Sequence, residues 1–167
     1  RGSELWFRAH EEWLDALFRL GEFARAKALI AELQAAGDGS GARVSAWCCA
    51  GRVLVQAGDY AAADDSRGHI EIVLERGDQL PAGVRAEAHR LLGARARHRG
   101  DVAGDYRGYA AALGHCAQGD ERRACNARVS LAFSLIELGA FEEAERELRV
   151  ALEAAEHMGL ETITSRA

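Results

Sequence analysis

The sequence predicts an all-α fold made of helical hairpins, and three observations lead to this prediction. A turn glycine followed by a large apolar or aromatic residue and then small residues recurs at Gly21, Gly58, Gly100 and Gly139, with separations of 37, 42 and 39 residues. Apolar residues on both sides of these turns recur at helical spacing. The composition is rich in Ala and Leu, with 7% aromatic residues and a single proline, which favours helices over strands.

Each turn glycine is expected to end one helix and to lead directly into the next. Four hairpins follow, over about 5–37, 42–77, 82–118 and 121–158. Pro81 suits the first turn of a helix, and Asp120 is a suitable N-cap. We predict helices over 5–20, 22–36, 42–57, 60–76, 82–99, 102–118, 121–138 and 141–158.

The stretch from Trp47 to Ala63 carries the clearest pattern in the chain. One apolar face at helical spacing is formed by Trp47, Ala50, Gly51 and Leu54. Gly58 is expected to end this helix, and Asp59 to cap the next one. The order of an aromatic residue, a small pair, a large apolar residue and then Gly-Asp-aromatic resembles a tetratricopeptide repeat.

The resemblance implies a right-handed α-solenoid over residues 4–159 that acts as a non-catalytic protein-protein interaction or regulatory module. The repeats exceed the usual 34 residues, and this length is similar to that of repeats in large bacterial regulatory proteins. Residues 160–167 are then either a capping segment or the beginning of a further repeat. Two other functions stay open, a small-molecule sensor and a self-association scaffold.

In the family, the first helix of each hairpin lines a concave groove that binds a partner segment. Carried over to this chain, the groove residues are Arg52, Arg90, Arg97, Val129, Phe133 and Ile136. Arginines in this position suit carboxylate groups. The expected partner is therefore a protein or peptide with acidic residues and an apolar anchor, or another domain of the parent chain. As alternatives, the arginines form a solvated or internally paired face, and the apolar residues pack against a following repeat.

The third repeat departs from the family pattern at two positions. Val102 stands in place of the aromatic residue, and Asp105 in place of the small one. Because burial of an unpaired carboxylate costs several kcal/mol, we expect Asp105 to point outward or to pair with an arginine such as Arg107.

Charge and cysteine content restrict the compartment and the class of partner. The formal net charge of −5 argues against nucleic acid and anionic membranes as partners. No apolar run approaches the roughly 20 residues that span a bilayer. Nothing resembles a secreted disulfide framework, so we expect a cytoplasmic protein.

No constellation of residues predicts an enzyme, a metal site or a cofactor. The four cysteines are Cys48, Cys49, Cys116 and Cys125, and their spacing is not that of a structural zinc site. We predict that they are packing or surface thiols. The alternative, a redox-sensing thiol, requires a lowered thiol pKa, for which Arg52 is the sole hint in the sequence.

Overall fold

The structure is a computed structural model that describes residues 2–36, 41–64, 70, 74, 80–116 and 120–160. Within these ranges every regular element is an α-helix, which confirms the all-α part of the prediction. The helices with defined bounds are α1 (Glu4–Arg19), α2 (Phe23–Ala35), α3 (Gly41–Gln56), α4 (Ala82–His98), α5 (Val102–Cys116), α6 (Glu121–Glu137) and α7 (Phe141–His157). Residues 60–64 are also helical.

The helix bounds agree with those predicted from the sequence to within two residues at each end. The exception is the predicted helix over 60–76, most of which lies outside the described residues, as do the segments 37–40, 117–119 and 161–167. Ser3 Oγ caps α1 by accepting a hydrogen bond from the Trp6 amide, and Asp120 caps α6 as predicted. None of the helices in the described ranges is long and apolar enough to cross a membrane.

The predicted turn glycines all adopt the left-handed backbone conformation that ends a helix. Their φ angles are 70° at Gly21, 76° at Gly58, 72° at Gly100 and 77° at Gly139. At the second turn the Gly58 amide donates to the Val55 carbonyl, and the next amide donates to Leu54. These bonds satisfy carbonyl groups that the end of α3 would otherwise leave without a donor.

The chain forms two compact units, Arg1–Leu91 and Leu92–Ala167, and the division falls within α4. In the first unit, α3 packs against both helices of the hairpin formed by α1 and α2. The core of this unit contains Phe7, Leu14, Leu33, Trp47, Cys48, Cys49, Val55 and Leu91, all 8% exposed or less. The predicted single repeat domain over 4–159 stays a prediction.

In the second unit, α6 packs against α5 on one side and α7 on another. One apolar cluster surrounds Tyr109, Leu131 and Leu135, and a second surrounds Cys125 and Val129. Ala144 joins the first cluster. Small residues such as this alanine let α7 approach α6 closely.

The apolar face predicted between Trp47 and Leu54 is confirmed, since all four of its residues are buried. At Gly51 the closest neighbour is a side chain of α4. A Cβ atom at this position would lie 2.6 Å from Leu91 Cδ2 of α4. Gly51 therefore leaves the space that Leu91 fills.

The turn that follows α3 is joined to the first hairpin by an ion pair. Lys27 Nζ of α2 lies 2.6 Å from Asp59 Oδ2, and Asp59 Oδ1 accepts a 3.4 Å hydrogen bond from the Ala62 amide. The hydrogen bond from Lys27, followed by that from Ala62, lowers the pKa of Asp59. Asp59 thus acts both as the predicted cap and as a link between hairpins.

We predict that Gly139→Ala lowers the free energy of unfolding by about 1–2 kcal/mol, because Cβ strains a left-handed backbone. The space around Gly139 is open, so no side-chain clash contributes. Gly114→Ala is the matched control in the same unit, since Gly114 lies in α5 and is also surrounded by open space. This control should raise the free energy of unfolding by up to about 1 kcal/mol. Urea denaturation measures both changes, and effects of the same sign would contradict the prediction.

Candidate functional site

Two of the predicted groove arginines, Arg52 and Arg90, are bound to one buried carboxylate. Arg90 Nη1 donates to Glu87 Oε1 at 2.6 Å, and Arg52 Nη2 lies 3.4 Å from Glu87 Oε2. Glu87 is 1% exposed, while the arginine side chains are 13% and 15% exposed. A carboxylate buried to this degree needs charged partners to offset its lost hydration. In this unit the two arginines therefore stabilise Glu87.

The third predicted arginine, Arg97, joins three helices of the second unit. Its Nε donates to Asp105 Oδ2 of α5 at 2.9 Å, and its Nη2 donates to the Ser130 carbonyl of α6 at the same distance. Ser134 Oγ also donates to Asp105 Oδ2, at 2.8 Å. The guanidinium lies over the ring of Tyr109, with 5.2 Å between Cζ and the ring centroid. Arg97 is thus fixed in place by α5 and α6.

Asp105 is fully buried, which differs from one of the two expectations for it. It does not point outward, and its arginine partner is Arg97 instead of Arg107. Burial raises the pKa of Asp105, and this effect outweighs the hydrogen bond from Ser134 and the charge of Arg97. One feature of the sequence points to these partners of Arg97 and Asp105: Ser130 and Ser134 interrupt an otherwise apolar face of α6.

We predict that Asp105, compared with Asn in its place, contributes more to the stability of the protein at low pH than at neutral pH. A carboxyl whose pKa is raised by folding holds its proton more tightly in the folded chain. Its favourable contribution is therefore complete below the usual pKa of 3.8 and is lost as the pH rises through the raised value. Denaturant titrations of both proteins across this range measure the difference in unfolding free energy between them.

The free energy of unfolding of the wild type minus that of Asp105→Asn should decrease as the pH rises and then become constant. A difference that increases with pH would mean that attraction to Arg97 dominates over burial, and it would contradict the prediction.

The three predicted apolar residues lie on one helix but differ in exposure. Val129 is 1% exposed and packs with Cys125, Ala151 and Ala155, so it belongs to the core of the fourth hairpin. Phe133 and Ile136 are 43% and 41% exposed. They lie one turn apart on α6, so their side chains are neighbours on its surface. The sequence predicts that all three residues line one groove. In the structure, two of them lie at the surface.

The four cysteines are buried, as expected for packing thiols. Desolvation raises the pKa of Cys49 to about 12, and it also raises the pKa of Cys48. Arg52 acts in the opposite direction on both thiols, but burial and the nearby carboxylate of Glu87 outweigh it at Cys48. The hint of a lowered thiol pKa in the sequence is therefore not realised in the fold.

We predict that Ellman's reagent reacts with far less than one thiol per folded chain within minutes at about pH 8, since the thiolate is the reactive form. All four thiols should react once guanidinium unfolds the protein. Absorbance of the released thionitrobenzoate measures both amounts. Rapid reaction of the folded protein at Cys48 or Cys49 would contradict the burial described here.

In the described part of the chain, no group of three His, Cys, Asp or Glu side chains could hold a metal ion. Comparisons with known proteins add no assignment, because no family model, curated protein or solved structure matches the chain. The geometry of the chain's own residues is thus the basis for assigning a function.

Proposed function

We propose that this protein is a tetratricopeptide-like α-solenoid and a non-catalytic protein-interaction module, and that its fourth hairpin contacts the partner. The observation that carries the proposal is the joint exposure of Phe133 and Ile136 on adjacent turns of α6. Apolar side chains exposed side by side mark interaction sites more often than single ones do.

The repeated hairpins and their turn glycines support the resemblance to tetratricopeptide repeats. A regulatory role in a larger bacterial protein rests on that analogy alone. A net charge of −5 favours a protein partner over nucleic acid or an anionic membrane. The absence of disulfide-like cysteine spacing in the sequence supports a cytoplasmic location.

Apolar contacts are the main source of affinity in the proposed interaction. Arg52, Arg90 and Arg97 are each engaged by a carboxylate of the protein itself. An acidic partner segment would have to compete with Glu87 or Asp105 for these cations. Partly exposed aromatic and aliphatic residues need no such exchange, and a few of them can dominate an interface.

We predict that a photo-crosslinking amino acid at position 133 forms adducts with a discrete partner in a lysate of the source cell. The same amino acid at position 141 is the matched control, because Phe141 is 66% exposed but is the first residue of α7 and does not lie on α6. Adducts should form from position 133 and should disappear when an excess of unlabelled protein competes. Mass spectrometry identifies the adducts.

A competitor that carries Phe133→Asp should fail to remove the adducts, while a Phe141→Asp competitor should remove them. Identical adducts from both positions, or none from position 133, would contradict the proposed interaction surface. Circular dichroism checks that both variants remain folded, as expected for changes at exposed positions.

A further inference from the structure

The sequences of the four hairpins can be aligned on their turn glycines. This alignment gives each residue of α6 an equivalent residue in an earlier hairpin. Counted from Gly139, Val129 corresponds to Glu11 in the first hairpin, which is counted from Gly21. In the same way, Phe133 corresponds to Arg52 in the second hairpin, and Ile136 to Arg97 in the third.

Each of these equivalents touches the first helix of the hairpin that follows it. Glu11 Oε2 accepts a 2.9 Å hydrogen bond from Ser45 Oγ of α3. Arg52 Nη2 lies 3.4 Å from Glu87 Oε2 of α4, and Arg97 Nη2 donates to the Ser130 carbonyl of α6. The side of α6 that carries Phe133 and Ile136 is therefore the side on which this chain repeatedly packs a helix.

In the part of the fourth hairpin that the structure describes, this side is covered at one end, where Leu160 packs against the cluster of Cys125 and Val129. Phe133 and Ile136, one and two turns beyond Val129, stay exposed. This side, defined here by Phe133 and Ile136 and flanked by α7, is called the open face.

Helices that cover a preceding hairpin in this chain are basic. The α3 sequence has two arginines and no acidic residue, α4 has four arginines and one glutamate, and α6 has three arginines and two glutamates. By contrast, α1 has four acidic residues and two arginines. The charge of a helix thus differs according to whether it packs onto an earlier hairpin.

The open face lies beside an acidic helix. Glu137 is exposed one turn after Phe133, and α7 contains six glutamates and two arginines. Both α7 arginines already pair with glutamates of the same helix. Within the described ranges, no ion pair engages Glu142, Glu153 or Glu156. A helix that packs across α6 and α7 would therefore meet Phe133, Ile136 and a helix with a net negative charge.

We infer that the open face binds a basic amphipathic α-helix of a partner protein, packed across α6 and α7 as α3 packs across α1 and α2. This inference rests on the proposed function and specifies the chemistry of the partner. A second copy of the chain fits less well, because its α1 would bring four acidic residues close to the glutamates of α7.

The probe is a fluorescein-labelled Leu-Ala-Lys peptide of about 18 residues with one apolar stripe, long enough to form a helix in isolation. One control peptide has Glu in place of every Lys, and another has the basic composition without the helical periodicity. Fluorescence anisotropy measures binding of each peptide to the full chain at two salt concentrations. Salt should weaken binding of the basic peptide, because its charges are screened.

We expect the basic amphipathic peptide to bind and both controls to bind at least about tenfold more weakly, a difference of 1.4 kcal/mol. Phe133→Ala with Ile136→Ala should weaken binding by about tenfold or more. Phe141→Ala is the matched control and should leave the affinity unchanged. A preference for the acidic peptide, or equal binding by the Phe133/Ile136 variant, would overturn the inference.

Two other occupants give different results. Sedimentation that shows a concentration-dependent dimer, lost in the Phe133/Ile136 variant, would assign the open face to a second copy. A fall in melting temperature well beyond about 2 °C in that variant would show that the chain covers these residues itself. Either result would overturn the inference.

The outcomes of the peptide test and the crosslinking test can be distinguished. If position 133 crosslinks to a discrete partner but the basic peptide does not bind, the proposed function stands and the inferred chemistry is wrong. If neither test gives a signal, both are wrong.

Discussion

The helix α3 must be buried on several sides at once, and this constraint explains much of its sequence. In α3, every residue from Ser45 to Gly51 is buried, because the helix packs against α1, α2 and α4. A helix surrounded in this way has little room for large side chains at its crossings. That explains the small residues of α3 and the contact between Gly51 and Leu91.

Buried carboxylates at these crossings set how the helices align. Glu87 joins α3 and α4 through Arg52 and Arg90, and Asp105 joins α4, α5 and α6 through Arg97 and Ser134. Such pairs add little net stability, because desolvation offsets their attraction. A shift of one helical turn would, however, separate Asp105 from Arg97, and it would leave Glu87 with Arg90 of its own helix alone. We therefore interpret these contacts as determinants of helix register within each unit.

Local features of the fold could be predicted from the sequence, and long-range pairings could not. Turn glycines and 3.6-residue periodicity act within a few residues, so the helix bounds and the positive φ angles at Gly58 and Gly139 followed directly. The link from Arg97 to Ser130 and Ser134 joins residues more than 30 positions apart. It depends on how hairpins align, which no local pattern encodes. Val129 was predicted to line the groove, but it is buried within its own hairpin against Ala151 and Ala155.

Charge at the surface cannot be inferred from the number of charged residues, because internal pairing removes some of them. The arginines that gave the predicted groove its basic character are largely buried and each face a carboxylate. The glutamates of α7 are mostly exposed, and its two arginines are paired within the helix. A partner that packs on Phe133 and Ile136 therefore meets the exposed Glu137 and the net negative charge of α7. Electrostatic complementarity then selects a basic partner, while the apolar pair supplies the contact that holds it.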